Sequence, residues 1–201
     1  MTAITEASSP QPRGPTAARA YAGRRTLFLL AAVMLAPVVA SYTAFYLFPR
    51  DAKTNYGTLL ATVLAPAIAG ARSDGSPFRL EDLRGRWVLV ASGGADCQAQ
   101  CRRQLYAMRQ ARTMQGKEQD RVVRAWLVVG DATPSAALLA QHPELVVVRV
   151  ADTLLAKLPG GMDALYLIDP LGNLVLRYPA DPDIKGIARD LTRLLAASRI
   201  G

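Results

Sequence analysis

Two cysteines, the only ones in the chain, stand at Cys97 and Cys101, and their surroundings restrict the fold more than any other feature. An apolar run, Trp87 to Ser92, leads to them through Gly93-Gly94. A helix-compatible stretch, Arg102 to Met114, follows. Two cysteines four apart inside a regular helix hold their Cβ atoms about 5–6 Å apart, whereas a disulfide wants about 3.5–4.5 Å. A bridged pair therefore requires Cys97 at or before the first helical turn and Cys101 inside it. Strand, glycine turn, cysteine pair and helix is an arrangement that sets both sulfurs at a helix N-terminus. Exposed N–H groups and the helix dipole favour a thiolate there, with Arg102 and Arg103 close by.

The downstream pattern narrows the topology. Leu105, Met108 and Ala111 at three-residue spacing beside Arg102, Arg103, Arg109 and Arg112 predict an amphipathic helix with a basic outer face. Met108 and Met114 are expected to pack along it. Val122 to Val129 reads as a second buried strand, Pro134 to Gln141 as a helix and Leu145 to Val150 as a third strand. Leu165 to Ile168 and Leu174 to Tyr178 are strands four and five. Between them Asp169-Pro170-Leu171-Gly172-Asn173 is a tight turn that leaves no room for a crossover helix, so these two strands are antiparallel. Ile184 to Ser198 closes the chain as a helix capped by Asp183. The fold class is α/β, with order βαβαβ, a β-hairpin, then α. Ahead of it, Phe78-Arg79-Leu80 alternates like a short strand, and Thr58 to Gly70 is apolar and small with a break at Pro66.

Thr26 to Pro49 holds 24 residues without a charge. About 20 apolar residues span a bilayer. Arg13, Arg19, Arg24 and Arg25 precede the span against Glu6 alone, which places the N-terminus in the cytoplasm and the C-terminal part outside. The expected organisation is a disordered cytoplasmic tail over 1–25, a transmembrane helix over 26–49, a linker over 50–57 and a periplasmic domain over 58–201. A cleaved signal peptide is the competing reading, with Val38-Val39-Ala40 as the cleavage site. Tyr42 and Tyr46 instead suit an aromatic belt at the outer interface of an anchor. The net charge of +8 comes from scattered basic residues without interleaved aromatics, so nucleic-acid binding is not expected. An oxidising compartment allows the cysteines either to cycle or to form a lasting bridge.

The run Phe78 to Val90 resembles the opening of redoxin-type domains, and the element order is thioredoxin-like. The three-residue cysteine spacing, together with Tyr166 to Asn173, resembles the Sco family of membrane-anchored, thioredoxin-fold proteins of cytochrome c oxidase assembly. That resemblance covers roughly residues 58–201 and the single anchor. It implies a copper-site client such as an oxidase subunit and Cu(I) carried by Cys97, Cys101 and a histidine, while the bias to arginine over lysine with high alanine reads as a bacterial coding signature and makes the anchored membrane a bacterial inner membrane. The histidine is missing. Pro159 to Asp163 occupies its place, where Met162 offers a soft thioether or merely fills a gap. His142, the one histidine, reads as an exposed loop residue. The loss shifts weight toward thiol–disulfide exchange, with Cys97 as the exposed attacking sulfur and Cys101 as its resolving partner. An enzyme of this kind is a thiol–disulfide oxidoreductase. The reading from another class is a degenerate binding scaffold with a structural disulfide. The absence of a proline directly before Leu165 favours it. Peroxidase chemistry at Cys97 lacks the Pro, Thr and Cys grouping that activates such a sulfur.

Overall fold

The computed structural model describes residues 17–47, 55–159, 161 and 164–198. The chain separates into two units, Met1–Ala52 and Lys53–Gly201. In the first, helix α1 runs Ala17–Leu47 with Pro37 inside it. Its segment Arg25–Ala44 is long and apolar enough to cross a membrane. The helix begins at Ala17, ahead of the expected span. Tyr42 and Tyr46 stack at 6.4 Å between centroids, one turn apart.

The second unit is built on an eight-stranded mixed sheet. Its strands are β1 (Thr58–Leu64), β2 (Ala69–Arg72), β3 (Pro77–Arg79), β4 (Trp87–Gly94), β5 (Val122–Val129), β6 (Leu145–Val150), β7 (Leu165–Ile168) and β8 (Asn173–Tyr178). They lie in the order β1-β8-β7-β4-β5-β6-β2-β3. The β4–β5 and β5–β6 pairs are parallel, and the remaining pairs are antiparallel. Helices α2 (Ala99–Thr113), α3 (Ala136–Ala140), α4 (Asp152–Leu155) and α5 (Ile184–Ala197) complete the unit. The expected βαβαβ-hairpin-α order is present, and the predicted bounds of β5, β6 and β7 are those observed.

Alternation along the central strands divides the core. Trp87, Leu89 and Ala91 face one cluster with Trp126 and Val128, under Leu105, Met108 and Ala111 of α2 and Ile187, Leu191 and Leu195 of α5. Val88, Val90, Ala125 and Leu127 face the other, which is covered by Ile68, Phe78, Leu80, Leu155 and Leu158. Burial on both faces is what a continuous apolar strand requires. Met114 departs from the expected packing role: at 55% exposure it lies beyond the buried stripe.

The β7–β8 turn takes the predicted form. The Asp169 carboxylate accepts from the backbone N–H of Leu171 and Asn173, and Gly172 supplies the positive φ of +94°. Strands β1 and β2 were not anticipated in the small, apolar stretch from Thr58 to Gly70. Gly70 explains how β2 fits: a Cβ there would lie 2.1 Å from the Arg149 carbonyl of β6, so only glycine permits the pairing.

The segment entering β1 is tied to the last helix. The buried Asp190 carboxylate accepts from the backbone N–H of Tyr56 (3.0 Å) and Gly57 (2.9 Å). The Tyr56 hydroxyl accepts from the backbone N–H of Asp183, and its ring fills the space above Gly186, where an added Cβ would meet it at 2.4 Å. Asp183 caps α5 as expected, through the Gly186 N–H. Removing a charged acceptor from two amides costs about 2–3 kcal/mol. Asp190→Ala is therefore expected to lower stability by about that amount in urea unfolding of the detergent-solubilised chain, and an unchanged midpoint would show that the tie carries no load.

Candidate functional site

β4 runs out at Gly93-Gly94, and the chain turns back at once. The Cys97 N–H donates to the Gly94 carbonyl at 3.0 Å, and Cys97 takes a φ of +40°. Such a value is uncommon for a residue with a Cβ. Gln98 is the N-cap of α2, and its side chain donates to Asp96 instead of capping the helix. Cys97 and Cys101 are joined by a disulfide, with Cα atoms 5.1 Å apart. The pair thus has the geometry that its spacing demands, one residue before the helix and one in its first turns. A Cβ on Gly93 would lie 3.9 Å from the Cys101 sulfur, so the bridge stands against the end of β4.

The exposures of the two sulfurs are the reverse of those expected. Cys97 is 1% exposed and belongs to the core cluster, while Cys101 is half-buried. The back-folded turn carries Cys97 inward, and Cys101, on the helix, stays at the margin. Arg102 reaches across the bridge, its Nε donating to the Cys97 carbonyl at 3.0 Å.

His142 is buried, not exposed. Leu138 and Leu139 of α3 pack against the core and draw the following loop down with them. The Nδ1 atom of His142 has no partner. Burial, then Arg109 and Arg124, hold its pKa below the ordinary value. Met162 lies outside the described residues. Among the described residues, no three His, Cys, Asp or Glu side chains come together to hold a metal.

One buried charge has no counterpart among the residues that the sequence pattern singles out. Arg124, 2% exposed, stands on the α2 side of β5 amid Val122, Trp126 and Val128. It donates to the Pro143 carbonyl, while its Nε and Nη1 have no partner. Burial, then the neighbouring Arg112, bring its pKa down to about 10. Arg112 is itself compensated by Glu144 at 2.7 Å and Asp120 at 3.4 Å. The signal for Arg124 was present as one charge inside an otherwise apolar strand.

The family model for the transmembrane-like, thioredoxin-like, C-terminal domain matches residues 87–198. Among solved structures, ScoI from Bradyrhizobium japonicum with copper bound is similar at 21% identity and a TM-score of 0.53, over 65% of this chain and 99% of that one. ScoI from Arabidopsis thaliana with copper bound gives 16% and 0.56, over 68% and 100%. A thiol:disulfide interchange protein of the thioredoxin family from Chlorobium tepidum TLS gives 18% and 0.53, over 69% and 99%. At these identities the likeness establishes the thioredoxin-like fold. No curated protein matches the sequence.

The buried histidine predicts a pH dependence of stability. An unfolded histidine titrates near 6.5, and folded His142 below that. As pH falls, the unfolded chain takes up this proton first, so stability present above about pH 6.5 drains away below it. His142→Gln is expected to reduce the loss of thermal midpoint between pH 7.5 and 5.5, and equal losses in both proteins would contradict this.

Proposed function

The chain belongs to the transmembrane-like, thioredoxin-like C-terminal-domain family, and on that premise we propose that it is an anchored thiol–disulfide exchange protein acting at Cys97 and Cys101. The carrying observation is the bridge at the N-terminus of α2, with Cys101 at the margin of the core. In this reading residues 26–49 anchor the protein in a bacterial inner membrane, 50–57 are the linker, and 58–201 work in the periplasm. The redox task is Sco-like, on a copper-site client in cytochrome c oxidase biogenesis. For Cu(I) as cargo, the reduced pair supplies two thiolates, and Met162 is the third donor that the sequence offers.

The more accessible residue determines the direction of attack. A client thiolate attacks the Cys101 sulfur, the Cys97–Cys101 bond breaks, and the electron pair leaves on Cys97. The client's second thiolate then attacks its own bridged sulfur and releases Cys101 as thiolate. The client dithiol loses two electrons and the cysteine pair gains them. The N-terminal amides of α2 and the Arg102 guanidinium favour the thiolate form at this end of the helix.

A second reading, a scaffold with a static disulfide, is favoured by the 1% exposure of Cys97. Single-cysteine variants of the full chain separate the two. Cys97→Ser, which leaves Cys101, is expected to form a mixed disulfide with a small disulfide probe at least tenfold faster than Cys101→Ser. Equally slow reaction of both would remove exchange and leave the scaffold.

A further inference from the structure

We propose that the groove on the outer face of α2, beside the bridge, is a docking site for an acidic segment of a partner protein. The groove, of about 420 Å³, is lined chiefly by Arg102, Arg103, Tyr106, Arg109, Leu138 and His142. Among the described residues, no carboxylate lines it. Arg103 is paired with Asp181 at 2.9 Å. Among the described residues, neither Arg102 nor Arg109 is in an ion pair. On the same helix Arg112 has two acidic partners, Glu144 and Asp120, so the groove is where the positive charge of α2 goes uncompensated.

The two guanidinium groups are held in place. Arg102 donates from Nε to the Cys97 carbonyl, and Arg109 from Nη1 to the Gln141 carbonyl. Each bond fixes one edge of a planar fork and leaves its other N–H groups to read a carboxylate. Behind them, the Nδ1 atom of His142 and two nitrogens of Arg124 are buried without partners.

Size and composition favour a polypeptide over a small anion. Arg102 and Arg109 are separated by seven helical residues, about 10 Å at 1.5 Å per residue, which is the reach of about three residues of extended chain. Between them Tyr106 is 49% exposed, with the Arg109 guanidinium 5.8 Å from its ring centroid, and Leu138 is half-buried. Tyrosine and arginine around an apolar floor are the composition that protein interfaces favour. The proposal rests on the exchange reading for its purpose, since a client held here lies next to the bridge, but its test uses no thiol chemistry.

The full chain carrying Cys97→Ser and Cys101→Ser would be titrated, in detergent, against a short fluorescein-labelled peptide of alternating glycine and glutamate, read by anisotropy. Binding is expected to weaken at least tenfold when Arg102→Gln and Arg109→Gln are added. It should change less than twofold with Arg149→Gln and Arg189→Gln, which remove the same charge from exposed sites elsewhere. Equal weakening by the two pairs, or no binding of the peptide by the parent, would overturn the proposal. Complete displacement of the peptide by low-millimolar inorganic phosphate would also overturn it, by making the groove a small-anion site. Peptide binding that survives alongside failed mixed-disulfide formation would refute the exchange reading and leave the docking site standing.

Discussion

The parallel ladder between β4 and β5 is the constraint from which the rest of the C-terminal unit follows. It runs in register from Trp87 opposite Val122 to Gly94 opposite Val129. Both strands are buried on both faces, so each must present side chains that a helix layer on one side and short elements on the other can cover. The ladder ends where β4 reaches its two glycines. Beyond that point the chain has lost its pairing partner and turns into α2. Cys97 sits in that turn and Cys101 in the start of α2, and their position is a consequence of where the ladder stops.

Packing over the ladder then decides what each sulfur can do. α2 must lay Leu105, Met108 and Ala111 on the sheet, which turns its arginines outward and leaves Cys101 at the margin. The turn folds Cys97 inward to join the same cluster. One strand over, Arg124 occupies a position that the pattern of the face would give to an apolar side chain. Its charge is opposed by the carboxylate of Glu144 and made costlier by Arg112 and Arg109. The buried Arg124 therefore lies beneath a helix face that carries arginines of its own.

Much of this was legible in the chain. Continuous apolar runs specified β5, β6 and β7, and the Asp169 to Asn173 turn excluded a parallel crossover, because these signals are local and strong. For Cys97 and Cys101 the placement that a bridge requires was legible, because a regular helix holds residues four apart too far from each other for a disulfide. Strand β2 was not, since its alanines and glycine carry little strand preference and the pairing of Gly70 depends on a backbone brought in from β6. The burial of His142 and the exchanged exposure of the two cysteines were equally hidden. Both depend on how a loop is drawn onto the core, and no residue pattern records that. Arg124 is visible as the one charge in an apolar strand, but its burial depends on the packing of α2 and of the loop that holds Pro143.

The central claim is that the Cys97–Cys101 bond is one the protein makes and breaks in use. Its reduction potential, determined by equilibrating the full-length chain in detergent with dithiothreitol buffers of graded ratio, tests this most directly. Structural disulfides lie below roughly −300 mV, and exchange-active ones lie higher. A bridge used in exchange has a value above that line. A value well below it would contradict the account and make the bridge a fixed brace of the fold.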